Sequence, residues 1–316
     1  MKKTILALAV AAASLASVAQ ADNTTLYGSV RMAVEYNDDG TDSSTSVNNA
    51  SSRWGIKGSD DLGNGLKAIY QFEWQVHPNS DAANTTGRLG YVGLQGGFGT
   101  VALGRQWSPY YNVAGYNDIF NNVYYDDYMG DFRLGNVLSY TTPDSMGGFQ
   151  VQAALIADGL GGNDEHLDGY NISGMYDNNG IFAGLSYIST NGLDDEQSIL
   201  GLALGYSNDM FRIGFVGEYA DDGVSDTNPR SYDLAGEYYI TDMDTIRAGV
   251  SLTDADVEGV DDSYEAALGY EHKFSKRTRV WAEYSYIGDG HIFDGNNLIN
   301  IDDAQNKVSL GLRTDF

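Results

Sequence analysis

KVSLGLRTDF, residues 307–316, alternates without a break. Val308, Leu310, Leu312, Thr314 and Phe316 fall on one side of an extended chain, with Lys307, Ser309, Gly311, Arg313 and Asp315 on the other. Strand side chains repeat every two residues, so the decamer reads as a strand with one apolar and one polar face. The same period runs upstream. Val280, Ala282, Tyr284 and Tyr286 oppose Arg279, Trp281, Glu283 and Ser285, and Tyr264, Ala266, Leu268 and Tyr270 oppose Glu265, Ala267, Gly269 and Glu271. Phe211, Ile213, Phe215 and Tyr219 oppose Arg212, Gly214, Val216 and Glu218, and Leu200, Leu202, Leu204 and Tyr206 face away from Gly201, Ala203 and Gly205. Sixteen such runs are predicted, near 24–36, 51–60, 65–76, 87–96, 99–108, 134–142, 149–158, 168–177, 180–189, 196–207, 210–221, 230–240, 245–254, 262–274, 277–288 and 305–316.

The connections between runs alternate in length. DLGN, GGF, PDSMGG, NN, ND, TDMD and SKR are tight, whereas NDDGTDSSTSVNNA, DGVSDTNP and GDGHIFDGNNLINIDDA are long and acidic. Short turns at one end and long loops at the other describe an all-β meander closed into a sixteen-stranded antiparallel transmembrane β-barrel. A water-soluble sandwich or propeller also alternates, but it turns its apolar face inward and has no reason to segregate its long loops. Tyrosines near run ends (Tyr36, Tyr140, Tyr187, Tyr206, Tyr219, Tyr239, Tyr270, Tyr286) suit aromatic girdles at two membrane interfaces. The four prolines, Pro78, Pro109, Pro143 and Pro229, fall outside the runs, where a missing N–H breaks no ladder.

Residues 1–21 stand apart. Lys2 and Lys3, an apolar Ile5–Ala13 core and Ala19-Gln20-Ala21 form the three-part layout of a secretory signal peptide, so the barrel is expected over 22–316. Without Lys2 and Lys3, 16 basic side chains face 44 acidic ones, a formal charge of −28. Such a chain is not built for nucleic acid, whose binding relies on cationic side chains. There is no cysteine, so no disulfide holds the exported chain together.

One connection breaks the pattern. Ser108–Arg133 reads SPYYNVAGYNDIFNNVYYDDYMGDFR, long for a loop in a compact domain. Its six tyrosines, two phenylalanines, Ile119 and Met129 are too apolar for a disordered segment, and Asp118, Asp126, Asp127 and Asp131 make it acidic. Such a loop needs an enclosed wall to fold against.

TLYGSVR, SSRWGIKGSDDLGNGLKAIYQFEW, GRLGYVGLQGGFGTVALGRQW and the terminal Phe316 together resemble the general diffusion porins of Gram-negative outer membranes. The likeness spans the mature chain and is densest over 24–143. It implies an outer-membrane homotrimer surrounded by lipid and lipopolysaccharide, passing small hydrophilic solutes and ions. It also implies that the third long loop, here 108–133, folds into the barrel and narrows it. By the same resemblance Arg53, Arg88 and Arg133 match wall arginines of the constriction, and Asp118 matches a loop carboxylate. Where enteric porins carry PEFGG this chain has FNNVYY, leaving Asn122 in place of a glutamate and Asp126 and Asp127 as compensating candidates. Lys57 shares the face of Arg53 and is expected to line the lumen. Phe316, an aromatic C-terminus as in that family, is expected to serve as an assembly signal.

Arg105 alternates onto the outer face with Val101 and Leu103. An arginine facing lipid at mid-depth costs about 2–4 kcal/mol, so a protein neighbour at a subunit interface is expected there. Inward Glu218, Glu237, Glu265, Glu271 and Glu283, added to the loop aspartates, predict a modest cation preference. Other readings are a substrate-specific channel and a surface-binding barrel, an adhesin or receptor. Asp254, Asp256, Glu258, Gly259 and Glu265 resemble a calcium loop, but strands flank them, and a solvated acidic loop explains them better. No metal or cofactor is expected. His77, His166, His272 and His291 form no constellation with a nucleophile, and no enzyme is expected.

Overall fold

The computed structural model describes residues 23–80, 84–123, 128–157, 167–191, 196–221, 227–259, 261–294 and 297–316. The proposed leader, Asp126, Asp127 and His166 lie outside the described residues. In chain order the strands are β1 (Thr25–Asp38), β2 (Ser43–Asn49), β3 (Arg53–Gly63), β4 (Leu66–Val76), β5 (Thr85–Gly96) and β6 (Gly99–Trp107). After the long loop come β7 (Arg133–Thr141), β8 (Phe149–Ile156), β9 (Gly169–Asn178), β10 (Ile181–Asn191), β11 (Glu196–Ser207) and β12 (Phe211–Asp221). Next are β13 (Arg230–Tyr239), β14 (Asp244–Asp254), β15 (Ser263–Lys273), β16 (Thr278–Ile287), the small pair β17 (Gly290–Asp294) and β18 (Asn297–Ile301), and finally β19 (Gln305–Asp315).

Each wall strand pairs antiparallel with the next, and β19 pairs with β16 on one side and β1 on the other, so the sheet closes. One half of β1 pairs with β2 (Met32↔Asn49) and the other with β3 (Ser29↔Arg53), so β2 and β3 are two pieces of a single wall strand. That leaves sixteen wall positions. The terminal residue completes the seam: Gly28 N–H donates to the Phe316 carbonyl at 3.1 Å, and Phe316 N–H donates back at 3.0 Å.

The apolar face points out. Val308 and Leu310 are exposed on the outer surface while Ser309 between them is fully buried, the alternation a lipid-facing strand requires. Among the described residues no helix is long and apolar enough to cross a membrane; the strands do so. Tyr36, Tyr140, Tyr206, Tyr219 and Tyr270 are exposed near strand ends, as expected of a girdle. Tyr239 departs from that expectation: its hydroxyl turns to Glu237, and the exposed Tyr238 takes the outer position.

Two connections expected to be loops are partly strand. Residues 37–50 continue β1, turn at 39–42 and return as β2, and the last long connection holds the β17–β18 hairpin. Outside the membrane a strand needs no apolar face, so Ser-, Thr- and Asn-rich segments pair without an alternation to betray them.

Candidate pore constriction

The loop after β6 turns into the barrel. Ser108 closes its neck: Ser108 N–H donates to the Phe132 carbonyl (2.9 Å) and its hydroxyl donates to the Asp131 carbonyl (2.7 Å). The same hydroxyl accepts from Tyr111 N–H (3.0 Å) and starts a one-turn helix, α1 (Tyr111–Ala114), followed by a 3-10 turn over Gly115–Asn117. This half lies against β10 to β13. Tyr110, Val113 and Ala114 have no exposed surface and pack on Ile188, Ala203 and Val216 of the wall. Burying a side chain of this size is worth about 1.5–3 kcal/mol.

Polar contacts fix the loop's height. Tyr110 N–H donates to Asn171 Oδ1 (2.7 Å), and the Tyr110 hydroxyl donates to the buried Glu218 carboxylate while accepting from Gly130 N–H (3.0 Å). Burial, reinforced by Glu218, pushes the Tyr110 phenol well above the usual tyrosine value. Asn117 donates to Asp233 Oδ1 (2.6 Å) and to the Gly214 carbonyl (3.1 Å). Arg212 donates to the Tyr116 carbonyl and lies 4.1 Å from the centre of its ring. Gly205 and Gly214 make this fit possible, since a Cβ at either would run into Tyr116, and at Gly214 also into Asn117.

The far half reaches the opposite arc. Glu283 accepts the backbone N–H groups of Asn121 (2.7 Å) and Asn122 (2.9 Å). Asn121 Nδ2 reaches Glu271 (3.2 Å), and Asn122 Nδ2 reaches Glu35 (2.5 Å) and Ser309 (3.0 Å). Asn122, matched by resemblance to a loop carboxylate, is thus a hydrogen-bond donor into wall carboxylates. The amide anchors the loop and brings no charge.

The stretch of wall around β1 to β7 carries arginines. Arg88 donates to Glu73 (2.5 Å) and its guanidinium lies 5.8 Å from the Trp107 ring centre. Arg53 stands 4.0 Å from the same Glu73 oxygen, and Arg133 lies 4.8 Å from the Trp107 ring centre. Arg31, the last residue of TLYGSVR, joins them: it donates to Ser29 (2.9 Å) and shares a Coulomb field with Arg53, Arg88, Arg313 and Asp315. Lys57 is exposed four residues from Arg53 toward the short β3–β4 turn, 5.3 Å from the Tyr27 ring centre. A register shift between Glu73 and Trp74 brings Arg88 inward; strict alternation from the exposed Val92 and Leu94 would have sent it out. From the loop, Asp118 is exposed and accepts from the Tyr111 hydroxyl at 2.5 Å.

The inward glutamates do not stand open to water. Glu218, Glu265, Glu271 and Glu283 are all but fully buried. Glu237 and Glu271 pair with Arg247 at 2.9 and 3.2 Å, and Glu271 is also 3.8 Å from Arg279. Arg105 is exposed, at a register irregularity of β6 against β7, and acts electrostatically on Asp131 and Arg133. In the acidic connection after β14, Asp254 lies 3.8 Å from Arg230 and accepts from Asp256 N–H (2.9 Å). Among the described residues no cluster of acidic, histidine or cysteine side chains could hold a metal ion.

A family model described as Gram-negative porin matches residues 7–291. Outer membrane porin protein 32 of Delftia acidovorans is 28% identical over the whole of both chains. Major outer membrane protein P.IB of Neisseria meningitidis serogroup A is 28% identical over 92% of this chain and 94% of its own. Among solved structures, one titled "Anion-selective porin from Comamonas acidovorans" superposes with a TM-score of 0.75 at 22% identity, covering 93% of this chain and 99% of that one. A trimer form of OmpT from Vibrio cholerae superposes at 0.68 and 19% identity over 93% and 99% of the two chains.

Proposed function

The chain belongs to the Gram-negative porins, and on that premise we propose that its waist admits small hydrophilic solutes passively with a slight preference for anions. That it is an outer-membrane channel and not an enzyme follows from the family. The preference is read from the charges left facing water. With the buried Arg88–Glu73 pair and the Arg313–Asp315 pair set aside, Arg31, Arg53 and Arg133 outnumber Asp118 and Asp131. The expected cation preference rested on the loop aspartates and on lumen glutamates lining the path. Of those glutamates, Glu218 and Glu283 are buried beneath the loop and Glu237 and Glu271 are paired with arginine, and a paired charge presents only a dipole to passing ions. The carrying observation is the arginine group set opposite a loop bearing Asp118. Acidic outer loops more than about 8 Å away are largely screened at physiological ionic strength.

A homotrimer is part of the same reading. An exposed arginine on the strand that carries the exposed Val101 and Leu103 supports a protein contact at Arg105, and the related trimer form is consistent with it. Reversal potential across a planar bilayer under a salt gradient tests the channel and its sign together. A small anion-directed potential is expected. A cation-directed one would return the balance to the loop aspartates, and an impermeable membrane would remove the channel reading.

A further inference from the structure

We propose that Trp107 and Tyr111 are positioning residues that act as a charge spacer, holding Arg133 and Asp118 apart so that both stay open to ions in transit. The inference rests on the channel reading above.

Three contacts link four groups. The Arg133 guanidinium lies 4.8 Å from the Trp107 ring centre; Tyr111 stacks on the indole with centroids 4.5 Å apart and planes 17° from parallel; the Tyr111 hydroxyl donates to Asp118 at 2.5 Å. Each link is made through a neutral group. The indole attracts the cation through its π face without cancelling its charge, and a phenol donating to a carboxylate leaves the anion's charge in place. Among the described residues no ion pair joins Asp118 to any arginine; its hydrogen-bond partner is the Tyr111 hydroxyl.

The spacer is braced. Trp107 is the last residue of a wall strand, and the Ser108 hydroxyl accepts the Tyr111 N–H. Phe132, from the returning arm of the loop, packs on Tyr111 at 4.7 Å, and Tyr128 meets it edge-on at 6.3 Å. With the rings removed, a flexible loop carboxylate and a guanidinium would close into a bidentate pair. The net charge of the waist would be unchanged, but its separated anionic and cationic edges would be lost.

The experiment is single-channel conductance of Trp107→Leu and Trp107→Phe across a salt series. At about 0.01 M salt, where fields reach about 30 Å, Trp107→Leu is expected to lose about half its conductance; at about 1 M, where they reach about 3 Å, it should match the parent. Trp107→Phe, which keeps a flat face, should follow the parent at both. A loss equal at both salts would mean that the ring merely shapes the pore, and no loss, or a Phe variant behaving like Leu, would equally overturn the spacer. Tyr111→Phe keeps the stack and removes only the tether to Asp118, so it decides the same question if Trp107→Leu yields no folded barrel, with the same low-salt loss expected. A parent chain without conductance would instead overturn the channel reading.

Discussion

Tyr110 reaches Glu218 with its hydroxyl from a site without any exposed surface. Tyr110→Phe leaves that carboxylate without its phenol donor, and losing a buried partner of this kind costs about 1–3 kcal/mol. The expected result is a loop more readily cut by protease while the barrel itself keeps its resistance to detergent. Raising pH should have a related effect. The phenol titrates above its unfolded value of about 10, so docking holds below that value and weakens as pH climbs beyond it. An alkaline rise in loop cleavage in the parent that is absent in Tyr110→Phe would show this, and identical profiles would count against it. Charge changes at the waist carry signs. Arg53→Ser should move the reversal potential toward cations and Asp118→Asn toward anions, each most clearly at low salt.

The inward loop is held at two arcs of the wall, and the two attachments differ in kind. The first is a fitted apolar face seated where the wall has glycine. Gly214→Ala puts a Cβ into Asn117 and Tyr116, so the loop must lift; larger neutral sugars should then enter reconstituted liposomes faster, and an unchanged size limit would contradict the seat. The second is the Glu283 carboxylate receiving two backbone N–H groups. Glu283→Ala should leave the first attachment intact and produce noisier single-channel current. At the outer end, Asp39 accepts from Thr41 and Asp42 N–H in the β1–β2 turn, and the Asp42 bond chiefly holds its carboxyl below the usual value. A depressed carboxyl stabilises its turn above the ordinary aspartate range and loses that contribution as pH falls through the folded value. Exchange protection of the Asp42 amide should therefore fade on acidification, whereas in Asp39→Ala it should be low at every pH.

As a whole the molecule is a closed ring, and a ring has no spare edge. Its seam is completed by the last residue, which exchanges two backbone hydrogen bonds with Gly28. Deleting Phe316 removes both bonds and the outward ring together. Far less folded barrel is expected in the outer membrane, with chain accumulating in the periplasm; normal yield would deny this residue a role in assembly.

All sixteen wall strands were legible in the sequence, because alternation is a local property and a lipid-facing wall demands it along its whole length. KVSLGLRTDF shows this most simply, and the inward long loop was legible for the same reason, as the stretch where alternation fails while apolar content does not. Arg88 was beyond that logic: a single register shift against β4 reverses the direction strict alternation would give it. Arg31 alternates inward beside Ser29 and Ala33, yet its place among the waist arginines depends on β1 meeting both β3 and β19, partners far apart along the chain. The glutamates were read correctly as inward and wrongly as open, since burial beneath a loop contributed from over a hundred residues away has no local signature. Charge sign at each position is a property of composition; whether that charge faces water, lies against an aromatic ring or is cancelled by a partner was decided only when the ring closed and the loop came to rest inside it.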